Sequence, residues 1–476
     1  MENPMFFNID AFNFIRDLKK GKKGTFFKKK SHLNGIEDVE LNYIEKSFNA
    51  SFDFDVFLKN GGDLDVGKQI KKLDFNLGNQ IFTLENFFIY KISPPEMKGE
   101  IYGFYSKGYS KIKKQYYKSV IPLSKEINFH FTIKEFVFSS DTSKWSRIGT
   151  KIIMNGEDII IVQEKDENKN WFLIIQSKKK QSYEEFSDKV FSIRIALGYV
   201  TGHLAGDEGY FFSYSRKEMK NFKHFYYRSL RSEIITLMNP LNSNPFAWIR
   251  NNKKVANKYY NEKCLETMSI ENFSNLCNLL VSNDDFTATL LLIIESSKAS
   301  LIFRPSGYSI ALETLSDIVI GDENYKLSPI TSKPDNKKFR KELNEVLDKH
   351  SVKESFKDIK TLKGRIEHIN QMTNGERLKA PFSVLGINLL QEDLNVISSR
   401  NDFLHGRVPD FKNLGVSRSI NLKDNDLYYA SVRLYTLINL LIFKMVGYKG
   451  YVLNFPKIYE LDTKYKVKED YYRKIE

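Results

Sequence analysis

The sequence predicts an α+β protein in two parts, a β-rich N-terminal domain over residues 1–240 followed by an all-α bundle over residues 256–476. Three observations carry that prediction. With 476 residues the chain exceeds the usual size of one hydrophobic core. Its first half consists of short aromatic and β-branched runs broken by Gly, Asn, Asp and Lys. From Met238 to Val255 the run MNPLNSNPFAWIRNNKKV concentrates Asn, Pro and Ser, and beyond it apolar residues recur at helical spacing.

The first residues, MENPMFFNIDAFNFIRDLKKGKK, hold no uninterrupted apolar core and place their basic cluster after the apolar residues, which argues against a secretion signal. Strands are expected at Ser51–Leu58, Ile101–Tyr105, Ile127–Phe138, Thr150–Met154, Asp158–Gln163 and Trp171–Gln176. Within the third, Ile127, Phe129, Phe131 and Ile133 alternate with Asn128, His130 and Thr132, as on a half-buried antiparallel strand. One helix interrupts this half, opened by a capping-box pattern from Ser182 to Glu185 and continued by Phe186, Val190, Ile193 and Leu197. Beyond the boundary, helices are expected at residues 270–281, 284–301, 308–320, 336–349, 352–373, 383–405 and 425–446. In the last, Leu427, Leu434, Ile438, Leu441 and Met445 build one apolar stripe, with Asp424 or Asn425 as its cap.

Composition narrows the function classes. Lys and Arg total 73 against 59 Asp and Glu, a formal charge of +14, which points to an anionic partner or to a generally lysine-rich composition. The two cysteines, Cys264 and Cys277, fit no metal or redox spacing and are expected to be reduced, structural thiols. The most apolar stretch, Phe286 to Phe303, contains Glu295, Ser296, Ser297 and Lys298, so it reads as a buried helix, and the protein as cytoplasmic with no membrane partner. His32, His130, His203 and His224 have no ligand at metal spacing, and Gly198–Gly209 lacks the phosphate-loop lysine and serine, so no metal or nucleotide cofactor is expected.

One segment combines the residue types of acid–base and phosphate chemistry: Arg400-Asn401-Asp402-Phe403-Leu404-His405, followed by Gly406 and Pro409 as helix stops. Carbonyl dipoles at a helix end favour cations, which suits an imidazole that takes and gives protons. On a wheel with Leu390 at zero, Leu394, Ile397, Asn401 and Leu404 fall within about 40° of one line. Arg400 at about −80° and His405 at about +60° flank that stripe, and Phe403 lies opposite it. Asn401 is thus expected to interrupt a stripe facing the bundle or a second subunit.

An Arg-Asn-x-x-x-His-Gly pattern at the end of a bundle helix, followed by a loop and a long final helix, resembles the HEPN ribonuclease superfamily. With its β-rich first half, the chain looks like the ApeA group of bacterial anti-phage proteins. Phe186–Tyr214 and the segment Phe303-Arg304-Pro305-Ser306-Gly307-Tyr308-Ser309-Ile310-Ala311-Leu312-Glu313 add to the likeness. The resemblance implies metal-independent cleavage in which the ribose 2′-OH is the nucleophile, leaving a cyclic phosphate and a 5′-OH. His405 would be general base or acid, Arg400 would hold the scissile phosphate, and Asn401 would position the phosphate or fix the histidine tautomer. It also implies a homodimer or higher assembly with a composite site, and an abortive-infection role in which a phage-encoded trigger releases cutting of cellular RNA, with transfer RNA a candidate substrate. Relatives silenced by adenylylation carry a tyrosine where this chain has Arg407, so Arg407 is read as an extra phosphate contact.

Basic clusters lie at Arg16–Lys30, Lys107–Lys118, Lys178–Lys180 and Arg216–Arg231. The second, with Lys111, Lys113, Lys114, Tyr116 and Tyr117, mixes cations with rings and is the preferred RNA contact, solvated loops being the alternative. Arg304 and Glu313 are expected to support the active site or dimer, or to serve in a structural ion pair. Arg365 and His368 read as surface residues of a preceding helix. Two other classes remain open: a catalytically inactive RNA-binding or scaffold protein, and a carbohydrate- or protein-binding β domain with a bundle that serves only to dimerise.

Overall fold

A computed structural model of the chain describes residues 9–27, 36–53, 69–77, 80–93, 96–129, 132–139, 146–250, 252–261, 266–321, 328–351, 358–405, 407–409 and 420–476. His32, His130, Cys264 and Gly406 lie outside these residues. The chain is α+β, and its contacts divide it into two units, 1–243 with 267–282 and 244–266 with 283–476.

Among the described residues the first unit is built on one antiparallel sheet of thirteen strands. β1 (Lys22–Phe27), β2 (Ile36–Ile44), β3 (Ser47–Asp53), β4 (Gln69–Leu77), β5 (Gln80–Ser93) and β6 (Glu96–Ser106) run in the order β3-β2-β1-β4-β5-β6. β3 also pairs with β6, from Phe48 opposite Ile101 to Asp53 opposite Glu96, so these six close into a ring. Beyond Ile101, β6 pairs instead with β14 (His224–Ser229), and the sheet continues through β13 (Glu208–Tyr214), β7 (Tyr116–Leu123), β11 (Trp171–Ser177), β10 (Glu157–Lys165), β9 (Ser146–Met154) and β8 (Phe136–Ser139). A short pair, β12 (His203–Leu204) and β15 (Ile234–Ile235), lies beside it.

Each face of the open part is covered by a helix. Helix Ile9–Lys19 buries Ala11, Phe12, Ile15 and Leu18, a helical stripe, in the cluster containing Phe48, Phe82, Phe104, Phe225 and Tyr227. On the other face Tyr117, Phe211 and Tyr226 meet Tyr183 and Phe186 of helix Tyr183–Thr201. That helix has the expected capping box at Ser182 and Glu185 and ends at Gly202, whose φ of 72° suits a residue without a side chain. Helix Ile270–Ser282 belongs to this unit, contrary to the expected boundary. Ser274 accepts from the Ile153 amide at 3.1 Å, and Asn278 bonds the Asn155 amide and the Ile153 carbonyl, both at 3.0 Å.

The expected strand at Ile127–Phe138 is overturned except at its end, β8. Ile127, Phe129 and Ile133 are buried, as the alternation implied, but the chain turns there, with the Thr132 amide on the Phe129 carbonyl at 2.9 Å. The Gln163 side chain takes both backbone groups of Ile127 at 2.8 and 2.7 Å, so no neighbouring strand is needed.

The second unit is helical, as expected, with one short antiparallel pair that was not anticipated, β16 (Gly450–Leu453) and β17 (Tyr472–Ile475). Its centre is helix Ile420–Met445, which is buried on all sides from Val432 to Phe443 rather than along one stripe and begins ahead of the expected cap. Against it lies helix Arg304–Ile320, which starts earlier than expected with Pro305 in its first turn. Any side chain at Gly307 would collide with Ser296 of helix Asp284–Ser296. The expected helix over 383–405 is broken twice: a helix over Asn374–Val384 ends as the chain leaves helical geometry near Gly386, whose φ is 67°, and Gln391–Ser398 is parted from Arg400–Leu404 at Ser399. Of the helix expected over 352–373, residues 352–357 lie outside the described residues, Ile359–Glu367 is helical with Asp358 as its cap, and the helix ends at His368, so 368–373 are not helical.

Candidate active site

Helix Gln391–Ser398, which carries the chain into the Arg400 segment, is fixed by buried charge. The fully buried carboxylate of Asp393 accepts from the Leu390 amide at 2.9 Å and from Arg433 and Arg473, each at 2.8 Å. Arg433, 1% exposed on the central helix, gives its other terminal nitrogen to Glu469 at 2.6 Å and lies over the Tyr429 ring. These groups tie the segment to the central helix and to β17. No spacing announced them; the only signal is a lone arginine inside the fully buried stretch of the central helix.

At Ser399, with φ −83° and ψ 3°, the helix breaks, and Arg400–Leu404 resumes with a shifted phase. Phe403 therefore turns inward at 2% exposure, and its carbonyl accepts from the Ser306 hydroxyl at 2.7 Å. Asn401, expected on the inward stripe, is exposed. The wheel failed because it assumed an unbroken helix.

Of Arg400, Asn401 and His405, Arg400 is the most enclosed. One terminal nitrogen is paired with Glu313 of helix Arg304–Ile320, the other donates to Asn401 Oδ1 at 2.9 Å, and its Nε is buried without a partner. Burial draws its pKa below the usual arginine value. His405 is the exposed terminal residue of this helix, its amide on the Asn401 carbonyl at 3.1 Å. Exposed Arg407 returns its amide to the Asp402 carbonyl at 2.7 Å and closes the helix end. The arrangement offers an open imidazole, an open amide and a guanidinium whose charge is opposed by a carboxylate.

Of the two supporting residues, only Glu313 reaches the motif. Arg304 is nine positions away, about two and a half turns, and so lies on the opposite side of the helix. It donates to the Ala299 carbonyl at 3.1 Å.

The expected RNA contacts belong to the other unit and divide there. Lys113 and Lys114 are exposed, and half-buried Tyr116 has Lys180 over its ring. Lys111 is paired with Glu85 at 2.8 Å. Tyr117 is overturned as a base contact: it is 1% exposed and stacked on Phe186, because β7 begins at Tyr116 and turns the next side chain into the core.

The same unit contains two buried carboxylates that sequence reasoning missed. Glu208 takes Lys19 at 2.5 Å and the Tyr43 hydroxyl at 2.7 Å. Glu233 takes His203 at 2.6 Å and the Ser124 amide at 3.0 Å. Burial alone would raise the Glu233 carboxyl, but the bonds from His203 and Ser124 hold it down at about 2. Apart from the Tyr210 hydroxyl, two residues from Glu208, these partners are 30 to 189 residues distant in the chain, beyond any local pattern.

Among the described residues no three His, Cys, Asp or Glu side chains gather as a metal would require, and no single helix is long and apolar enough to cross a membrane. Comparison with protein-family models, curated proteins and solved structures finds no match to this chain.

Proposed function

We propose that the protein is a metal-independent endoribonuclease of bacterial anti-phage defence, cutting cellular RNA in the cytoplasm after a phage trigger. The observation that supports it is the helix end that presents an exposed His405 beside Asn401 and a shielded Arg400. In the proposed reaction the ribose 2′-oxygen bonds to the adjacent phosphorus as its proton is removed. The bond from phosphorus to the 5′-oxygen breaks, that oxygen takes a proton, and the products are a 2′,3′-cyclic phosphate and a 5′-hydroxyl. His405 is base or acid in this transfer. Arg400, freed from Glu313, offsets charge on the non-bridging oxygens, with Asn401 and Arg407 as further phosphate contacts. A second copy of the chain in a homodimer would supply the complementary acid or base.

The purified protein is expected to cut RNA in the presence of EDTA, leaving cyclic phosphate ends. His405→Ala is expected to lose about 100-fold or more of that rate. Loss of cutting on chelation, or full activity in the alanine variant, would overturn the mechanism. The pairing of Arg400 with Glu313 favours one rival, a catalytically silent RNA-binding scaffold. In that case His405→Ala leaves both RNA binding and phage resistance unchanged.

A further inference from the structure

The antiparallel register of the first unit brings separate basic segments to one end of the sheet. Tyr105 lies opposite Tyr226, Ser213 opposite His224, Tyr214 opposite Tyr116 and Lys118 opposite Gln176. The ends of β6, β13 and β11 and the starts of β14 and β7 therefore share one level, and the loops leaving them carry exposed Lys107, Lys217, Lys180, Lys223, Lys113 and Lys114. The loops are joined to one another: Gln115 bridges Gln181, and the Tyr109 ring sits edge-on to His224 with centroids 6.4 Å apart. Acidic groups at this end are partly engaged, Glu157 by Lys189 and Lys179 and Glu185 by the Ser182 amide, while Glu218 is exposed. Five adjacent strands span about 19 Å at the usual spacing of about 4.8 Å, a row of cations rather than a point.

Beside this row is a cavity of about 590 Å³, within the size range of small-molecule sites. Lys111 reaches into it from the basic loop, Tyr226 and Tyr183 form its walls, and Tyr102, 42% exposed, also lines it. Glu184, Asp188 and Arg228 line it as well, and Glu85 lies in it already held by Lys111 and the Tyr226 hydroxyl. A cavity with aromatic walls and carboxylate acceptors suits a planar ring that carries N–H donors, and the cations alongside suit the phosphates attached to such rings.

We propose that these strand ends form a docking edge for single-stranded nucleic acid, with phosphates along the lysines and one amine-bearing base in the tyrosine-walled cavity. Guanine, adenine and cytosine carry exocyclic amines for the carboxylates, and uracil does not. Duplexes are excluded from the cavity because their bases stay stacked. This edge belongs to the first unit and Arg400 and His405 to the second, so docking there stands whether or not the chain cuts RNA.

The test uses the full chain and labelled 2′-O-methyl RNA and DNA 20-mers, neither of which can be cleaved by attack of a 2′-OH. Their relative affinities assign the site to ribose or deoxyribose strands. Replacing Lys113, Lys114, Lys180 and Lys223 together by Ala is expected to weaken binding at least about tenfold and to lower the logarithmic salt slope by about 3, at about 0.7 per phosphate contact. Tyr102→Ala is expected to cost about fivefold or more at constant salt slope. An oligomer of uridine is expected to bind more weakly than the other three. Unchanged affinity and slope in the lysine variant would overturn the edge, as would equal binding of a duplex or of anionic phospholipid vesicles. Indifference to base identity together with a silent Tyr102→Ala would overturn the cavity.

Discussion

Arg400 meets Glu313 before it can meet a phosphate. A carboxylate at that distance repels an incoming phosphodiester while neutralising the group meant to receive it. On the ribonuclease reading, Glu313→Gln is expected to raise single-turnover cleavage several-fold; a fall in rate would show that Glu313 instead holds Arg400 in its working position. Glu233 makes a different prediction. Its folded carboxyl lies near 2 against an ordinary 4.5, so its stabilisation is present above about pH 4.5 and is lost as the pH falls toward about 2. Glu233→Gln should lower the thermal midpoint at neutral pH and flatten its decline across that window. An acid curve that overlays the wild type would place the effect elsewhere. Residue types were legible in sequence, but partners were not. His405 could be singled out from its neighbours, whereas the exposure of Lys113 and the burial of Tyr117, four residues later, depended on where β7 begins.

Elements with strong local signals could be read directly. Ser182 and Glu185 mark a helix start through bonds between near neighbours, and the structure has that box. The Arg400 segment was misread because a break at Ser399 has no such signal, and one residue of lost phase exchanges Asn401 for Phe403 on the inward side. What keeps the broken helix in place is Asp393 with its two arginines. Asp393→Ala leaves buried Arg433 with Glu469 as its remaining carboxylate and takes the partner from Arg473, a loss of up to about 3–5 kcal/mol for a buried pair broken on one side. Denaturant unfolding should register it, and a change under 1 kcal/mol would mean that the guanidinium finds other partners.

For the whole molecule, the passage from strand-rich to helical sequence was visible in composition, and the first unit breaks off at Ser243, inside the Asn- and Pro-rich run, but a later helix returns to it. Helix Ile270–Ser282 has helical periodicity and lies beyond the Asn- and Pro-rich run, yet its side chains satisfy the backbone of the β9–β10 turn. A fragment ending at residue 243 should therefore melt well below one ending at residue 282. Equal melting temperatures would mean that the helix adds nothing to the sheet.

The closing of β3 onto β6 has a consequence for assembly. A sheet that bites its own tail at one side leaves its other side open, and among the described residues that lateral seam is β8, Phe136–Ser139. Strand-by-strand growth between copies, the common route to fibrils and to swapped dimers, is confined to that short seam. Any pairing of two chains through this sheet would have to run through it.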